Sequence, residues 1–283
     1  MCKIIGRKEE VFYIISLKFV KLGHMDLLEQ LIKNIDQNPD SILVIRQQTE
    51  QQLLAHQHDK GQLLLVYGGI AYLQTQEKDY YIPSNHYIWI PGHFSHNLMF
   101  NTKDLQIINF YYPSQGDAGF YDELGIYPVS KLLSEMLVFS EKWQGDFFQG
   151  SWEFEFLNTV KNLLPKERLK KFAIQLPVTD DTRLNAITNY LRSKISESLA
   201  LEDIARTFGY SVRTLTRLFK SKLHISIVQY VKMLRVIRAM ELMKDTDLTI
   251  TEIAYEVGYS NISAFSNTFS QLTNMRPTDF KTM

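Results

Sequence analysis

The sequence predicts an α+β chain: a jelly-roll type of antiparallel β-barrel first, then a helical linker, then an all-α C-terminal domain with two helix-turn-helix motifs. Three observations predict it. Short apolar runs punctuated by turn residues fill positions 41–112. The periodicity becomes helical from Val129, and one helical stretch near the C-terminus occurs twice.

The first elements rest on the alternation of apolar runs and turns. Ile42–Ile45, Gln62–Tyr67, Tyr87–Ile90 and Leu105–Phe110 read as strands, with Gly68-Gly69 and Pro91-Gly92 as turns between them. Spacing of this kind suits a small antiparallel barrel over residues 30–123. Residues 1–29 read as an N-terminal extension, and Met25 offers an alternative start of translation. Its apolar run Val11–Leu17 is too short to span a bilayer and is followed by Lys18 and Lys21, so no membrane partner is expected.

Residues 124–177 read as a helical dimerisation region and hinge. Leu132, Leu133, Met136, Leu137 and Phe139 form one amphipathic stretch, and Phe154, Phe156, Leu157, Val160, Leu163 and Leu164 form another before Pro165. The pattern suits a dimer interface or a pair of helices capping the barrel. A solvated segment from Lys166 to Lys171 leads to a domain boundary near Pro177, after which Asp180 and Asp181 open the next helix.

The repeat lies in residues 178–283. Leu201, Ile204, Ala205, Phe208, Gly209, Tyr210 and Ser211 recur 49 positions later as Ile250, Ile253, Ala254, Val257, Gly258, Tyr259 and Ser260. Each copy reads as a short helix, a Gly able to take a left-handed turn, and a Ser where the next helix needs its N-cap. That is the helix-turn-helix pattern, whose second helix enters the major groove of DNA. In the first copy Ile204, Ala205, Phe208, Leu215, Leu218 and Phe219 form a small core. Arg213, Thr214, Thr216, Arg217 and Lys220 are left outside. Arginine on such a face can bind guanine bidentately, while Lys220 and Lys222 suit phosphate. Between the copies, Ile225–Lys244 reads as one helix of about 30 Å, close to the ~34 Å of a DNA turn.

Charge agrees with this division. The whole chain is neutral, which alone argues against nucleic acid, but residues 180–283 hold 14 Lys and Arg against 11 Asp and Glu. The single Cys2 excludes an intramolecular disulfide and favours a reducing, cytoplasmic setting.

The C-terminal region resembles the AraC/XylS family of bacterial transcription regulators. The match is carried by Leu201-x-x-Ile204-Ala205, Gly209-Tyr210-Ser211, Leu215-x-Arg217-x-Phe219-Lys220 and Tyr230-x4-Arg235-x3-Ala239-x2-Leu242. It continues through Ile250-x2-Ile253-Ala254-x3-Gly258-Tyr259-Ser260, Phe265-x3-Phe269 and Arg276-Pro277-x2-Phe280. The resemblance implies a seven-helix domain with both recognition helices in the major groove. It also implies double-stranded operator or promoter DNA as partner, a homodimer, and RNA polymerase as a further partner for an activator. This chain departs from the family in its second recognition helix, which has no Lys or Arg. Allowing a one-residue slip, Ser263, Ser266 and Asn267 stand where the first has Arg213, Thr216 and Arg217, with Ile262 preceding them. The first helix is therefore expected to read bases and the second mainly to position.

In the N-terminal region, His56-x-His58-x3-Gln62-x6-Gly69 and Ile90-Pro91-Gly92-His93-x2-His96 resemble the two motifs of the cupin barrel. Metal-binding cupins place a carboxylate where this chain has Gln62, a weaker ligand for a divalent cation. On that departure no metal or other cofactor is assigned. His56, His58, Gln62, Trp89 and His96 are taken as the candidate site for an unknown small-molecule effector. Three imidazoles suffice for Zn²⁺ or Fe²⁺, with His93 a fourth candidate, which leaves a metal-dependent cupin enzyme with an accessory DNA-binding domain as the alternative. No nucleophile–base pair, phosphate loop or Cys-rich zinc pattern is present, so no catalytic residue is assigned.

Overall fold

The computed structural model describes residues 24–48, 53–100, 105–114, 119–167, 171–172, 174–197 and 199–282; the run Val11–Leu17 lies outside them. Helix α1 (His24–Asp36) runs across the 29/30 boundary drawn from sequence, and its Leu31 and Ile35 pack on Leu43 and Tyr111.

Eleven strands follow among the described residues: β1 (Ile42–Gln48), β2 (Leu53–His56), β3 (Gly61–Tyr67), β4 (Ile70–Gln74), β5 (Lys78–Pro83), β6 (His86–Ile90), β7 (His96–Phe100), β8 (Gln106–Tyr112), β9 (Gly125–Pro128), β10 (Gly145–Phe147) and β11 (Gln175–Pro177). Of the expected jelly-roll type of barrel, the antiparallel sheet structure is present among the described residues, but no closed barrel is seen. The strands pair as two antiparallel sheets, ordered β10-β1-β8-β3-β6-β9 and β11-β5-β4-β7-β2. The last three strands come from the stretch read as helical; each is only three or four residues long, too short to show alternation in sequence.

Alternation sets the layers. Leu64, Val66, Ile88, Ile90 and Ile107 of the first sheet meet Ala71, Leu73, Ile82 and Leu98 of the second. The first sheet's other face, with Leu63, Leu65, Tyr87, Trp89, Phe110 and Tyr112, is covered by helices α2 (Lys131–Phe139) and α3 (Trp152–Leu163). Ser130 and Ser151 cap these two helices through their hydroxyls.

The second sheet's outer face meets the C-terminal helices. Tyr72 and Tyr81, directly paired across β4 and β5, both face that way. Tyr72 Oη donates to Glu241 Oε1 at 2.9 Å, and Arg192 lies 3.8 Å from Asp79, close to Tyr81 and Tyr230. One buried apolar cluster therefore runs from the sheet pair into the helical domain.

Among its described residues that domain has seven helices, the number the resemblance implied: α4 (Thr182–Ser193), α5 (Leu201–Thr207), α6 (Val212–Lys222), α7 (Ile227–Asp245), α8 (Ile250–Glu256), α9 (Ile262–Thr273) and α10 (Pro277–Thr282). Asp181 caps α4, bonding the Arg183 and Leu184 amides. No helix among the described residues is long and apolar enough to cross a membrane.

Candidate nucleic-acid interface and histidine cluster

Both repeats fold as the spacing predicts. Gly209 and Gly258 close the first helices at φ +71° and +84°, the left-handed region where a side chain is penalised. In the first unit Ser211 caps α6 by accepting the Thr214 amide at 3.1 Å. In the second the expected cap, Ser260, is displaced by its neighbour. Asn261 accepts the Ala264 amide at 2.8 Å, and α9 starts one residue later. The shift has a packing reason: it puts Phe265 and Phe269 in the buried places that Leu215 and Phe219 occupy in the first unit.

The outward residues are where the sequence put them. Arg213, Thr216, Arg217 and Lys220 are exposed on one face of α6, with Leu215 and Phe219 buried on the other. Thr214 is half-buried, its hydroxyl 2.9 Å from the Ser211 hydroxyl, so it belongs to the cap as much as to the surface. On α9, Ile262, Ser263 and Asn267 are exposed and Ser266 is half-buried. Four cationic side chains, Lys222 included, thus lie on α6 and none on α9.

The rod between the units is α7, 19 residues or about 28 Å long. It starts at a reciprocal capping box, Ser226 with Gln229, and buries Tyr230, Leu234, Ile237, Met240 and Leu242. Its Arg235 has a role that sequence reasoning did not assign. The guanidinium donates to Ile195 O (3.2 Å) and Glu197 O (2.8 Å) and lies 5.4 Å from the Tyr259 ring centre. It thereby clips the α4–α5 loop of the first unit to the turn of the second. Nothing in the sequence singled it out for that role, because the same helix also carries Lys232, Arg238 and Lys244.

The N-terminal candidates separate into two groups. His56 on β2 pairs directly with His96 on β7, and His58 joins them; one ring nitrogen of each lies within 4.8 Å of the others. They are 7%, 1% and 2% exposed. Each donates through Nδ1–H to a backbone carbonyl, Leu54 O (2.8 Å), Phe94 O (2.8 Å) and Lys60 O (2.7 Å), since a carbonyl only accepts. Gln62 reaches across from the other sheet, its Oε1 3.0 Å from His58 Nε2 and its Nε2 donating to Asn109 Oδ1 at 2.7 Å. Burial pushes His56 and His58 below the ordinary imidazole range. It takes His96 down to about 3, with His56 beside it adding to the shift. Trp89 is not part of this group. It points from the opposite face of the first sheet and donates to Tyr121 O at 2.9 Å. His93 lies outside the cluster too, exposed and 3.2 Å from Asp59.

Residues 204–283 match the helix-turn-helix domain family. The C-terminal region is therefore a helix-turn-helix domain. The chain is 32% identical over 114 residues to the HTH-type transcriptional activator RhaS of Salmonella arizonae, an alignment spanning 40% of this chain and 41% of that one. Among solved structures, an AraC-type DNA-binding domain-containing regulator from Chromobacterium violaceum is 32% identical over 36% of this chain and 90% of its own, with a TM-score of 0.35. Unsaturated fatty acid bound ToxT from Vibrio cholerae is 18% identical over 86% of this chain and 95% of its own, TM-score 0.36.

Proposed function

We propose that this protein is a sequence-specific transcription regulator of the AraC/XylS type that binds double-stranded operator DNA through α6 and α9. The observation that carries this is the exposed row Arg213, Thr216, Arg217 and Lys220 on a helix held by a Gly turn, followed by a second such unit on the same rod. Arg213 and Arg217 read bases, Lys220 and Lys222 grip phosphate, and Ile262, Ser263, Ser266 and Asn267 seat α9 in the next groove segment. The N-terminal unit, a cupin-like sensor, takes a small-molecule effector at His56, His58, Gln62 and His96. Its state reaches the DNA-binding domain through β4, which pairs with β7 and presents Tyr72 to Glu241 of α7.

The pair α2–α3 supports a homodimer. Phe139 and Trp152 are 58% and 56% exposed, and their rings stand 5.7 Å apart in one aromatic patch with Trp143 and Phe156. RNA polymerase is the further partner in activation.

The test is selection of bound sequences from random duplex DNA with the full chain, followed by a gel-shift titration in rising salt. A preferred sequence and an affinity falling steeply between about 50 and 200 mM salt are expected, because each phosphate contact releases counterions. No enrichment, or a flat salt response, overturns the reading.

A further inference from the structure

We propose that the crease between the two helix-turn-helix units is a second ligand site, one that takes a small amphipathic anion: an apolar ring body bearing a single carboxylate or sulfonate. It lies in the helical domain, apart from the histidine cluster, and is independent of the effector reading of that cluster. Only its effect on DNA affinity rests on the DNA-binding reading.

The crease is a cleft of about 520 Å³, a volume suited to a small molecule. Three parts of the fold line it: the start of the first unit around Leu199 and Leu201, the rod α7, and the end of α8 with its turn in the second unit. Val228 on the rod and Tyr255 on the second unit both line it, yet they are 51% and 56% exposed. Val231 lines it as well and is half-buried. An apolar occupant withdraws all of these side chains from water, which is the favourable part of binding.

The charge of the cleft is one-sided. Among the described residues that line it, Lys232 and Arg235 are cationic and none is acidic. Lys232 is exposed and forms no ion pair or side-chain hydrogen bond with any described residue. Arg235 uses one N–H on Ile195 O and one on Glu197 O, which leaves the rest of its guanidinium without a described acceptor. Burial pushes that guanidinium below its ordinary value, so an anion beside it stabilises the charged form. Duplex DNA also supplies anions, but a phosphate backbone has no apolar body to cover Val228 and Tyr255. A molecule with both parts meets both demands.

Occupancy sets how the units stand to each other. Arg235 ties the α4–α5 loop to Tyr259, and Gly258 lies so close that an added Cβ would meet the guanidinium at 2.7 Å. Just beyond this turn, α9 begins at Ile262. A ligand that touches the first unit, the rod and the turn together fixes the offset of α9 from α6. With it goes the spacing of the groove segments that the two helices enter.

The experiment titrates the full chain with anilinonaphthalenesulfonate, a fused-ring anion whose fluorescence rises on leaving water, and with its neutral analogue phenylnaphthylamine. A saturable component is expected for the sulfonate, with the neutral compound roughly tenfold weaker. Lys232→Glu, at an exposed position, should weaken the sulfonate by a similar factor, and Val228→Trp should abolish the component by filling the cleft. Trp152→Ala, which alters only the aromatic patch on α2–α3, should leave it unchanged. Melting curves that match the wild type guard against loss through misfolding. No saturable component in the wild type overturns the proposal. So does equal affinity for the neutral compound, or binding unchanged in folded Lys232→Glu or Val228→Trp. A gel shift with and without the sulfonate should show a moved midpoint in the wild type and none in Val228→Trp. A midpoint that stays put in the wild type overturns control of DNA binding while the anion site stands; no DNA binding in either condition sinks the DNA-binding reading alone.

Discussion

The two helix-turn-helix units share a pattern but differ in charge and in packing. The first carries the charge and is loosely held: α6 bears Arg213, Arg217, Lys220 and Lys222, while α5 has no side-chain N-cap and nothing lies within 4 Å of a Cβ placed on Gly209. The second carries the packing and no cation. A capping box of Thr249 and Glu252 opens α8, Phe280 of α10 meets Phe269 edge to face, and a Cβ on Gly258 would meet Ile195 O at 2.7 Å. The difference teaches that a duplicated motif need not mean duplicated function. In the function proposed above, one copy serves as a rigid seat while the other supplies the reading groups.

The sharpest way to break this comparison is at the turn glycines. Gly258→Ala combines the left-handed penalty with a clash against a backbone oxygen, so urea denaturation should show a loss of about 2–4 kcal/mol. Gly209→Ala incurs only the conformational penalty, about 1–2 kcal/mol. Equal losses would mean that the second turn is not the tighter seat.

Next come the reading groups. Arg217→Ala should cost about 1–3 kcal/mol of specific binding in a gel-shift titration, and Asn267→Ala under 1 kcal/mol. Comparable losses would restore two equal readers. The caps sharpen the comparison at a smaller scale. Thr249→Ala removes a cap that bonds both ways and should lower stability by about 1 kcal/mol, whereas Ala200→Ser should raise it by supplying the cap α5 lacks. The smallest effect is at Lys220→Ala: binding weakens by a similar factor for all sequences, and the salt slope falls by about one.

Much of the DNA-binding domain was legible because its instructions are local. Gly209 and Gly258 announce left-handed turns, Ser211 announces a helix start, and the spacing of Leu215 and Phe219 fixes which face of α6 is buried. The one slip, Ser260 for Asn261, arose because two adjacent residues can both cap and only the fit of Phe265 and Phe269 chooses between them. The sheets were less legible. Strands β9, β10 and β11 carry too few residues for a period, and their pairing partners lie tens of residues away.

Sequence alone determined the helical repeat, the charged face of α6 and the presence of His56, His58, Gln62 and His96, because residue type and spacing within one element settle those matters. Only the tertiary structure decided that Trp89 lies on the far face of its sheet, that Arg235 clips one unit to the other, and that three histidines from separate segments meet with their Nδ1 atoms already occupied. The physical reason is the same in each case. Side-chain direction in a strand flips with every residue, and contact between segments depends on how sheets and helices stack, which no single stretch of chain records.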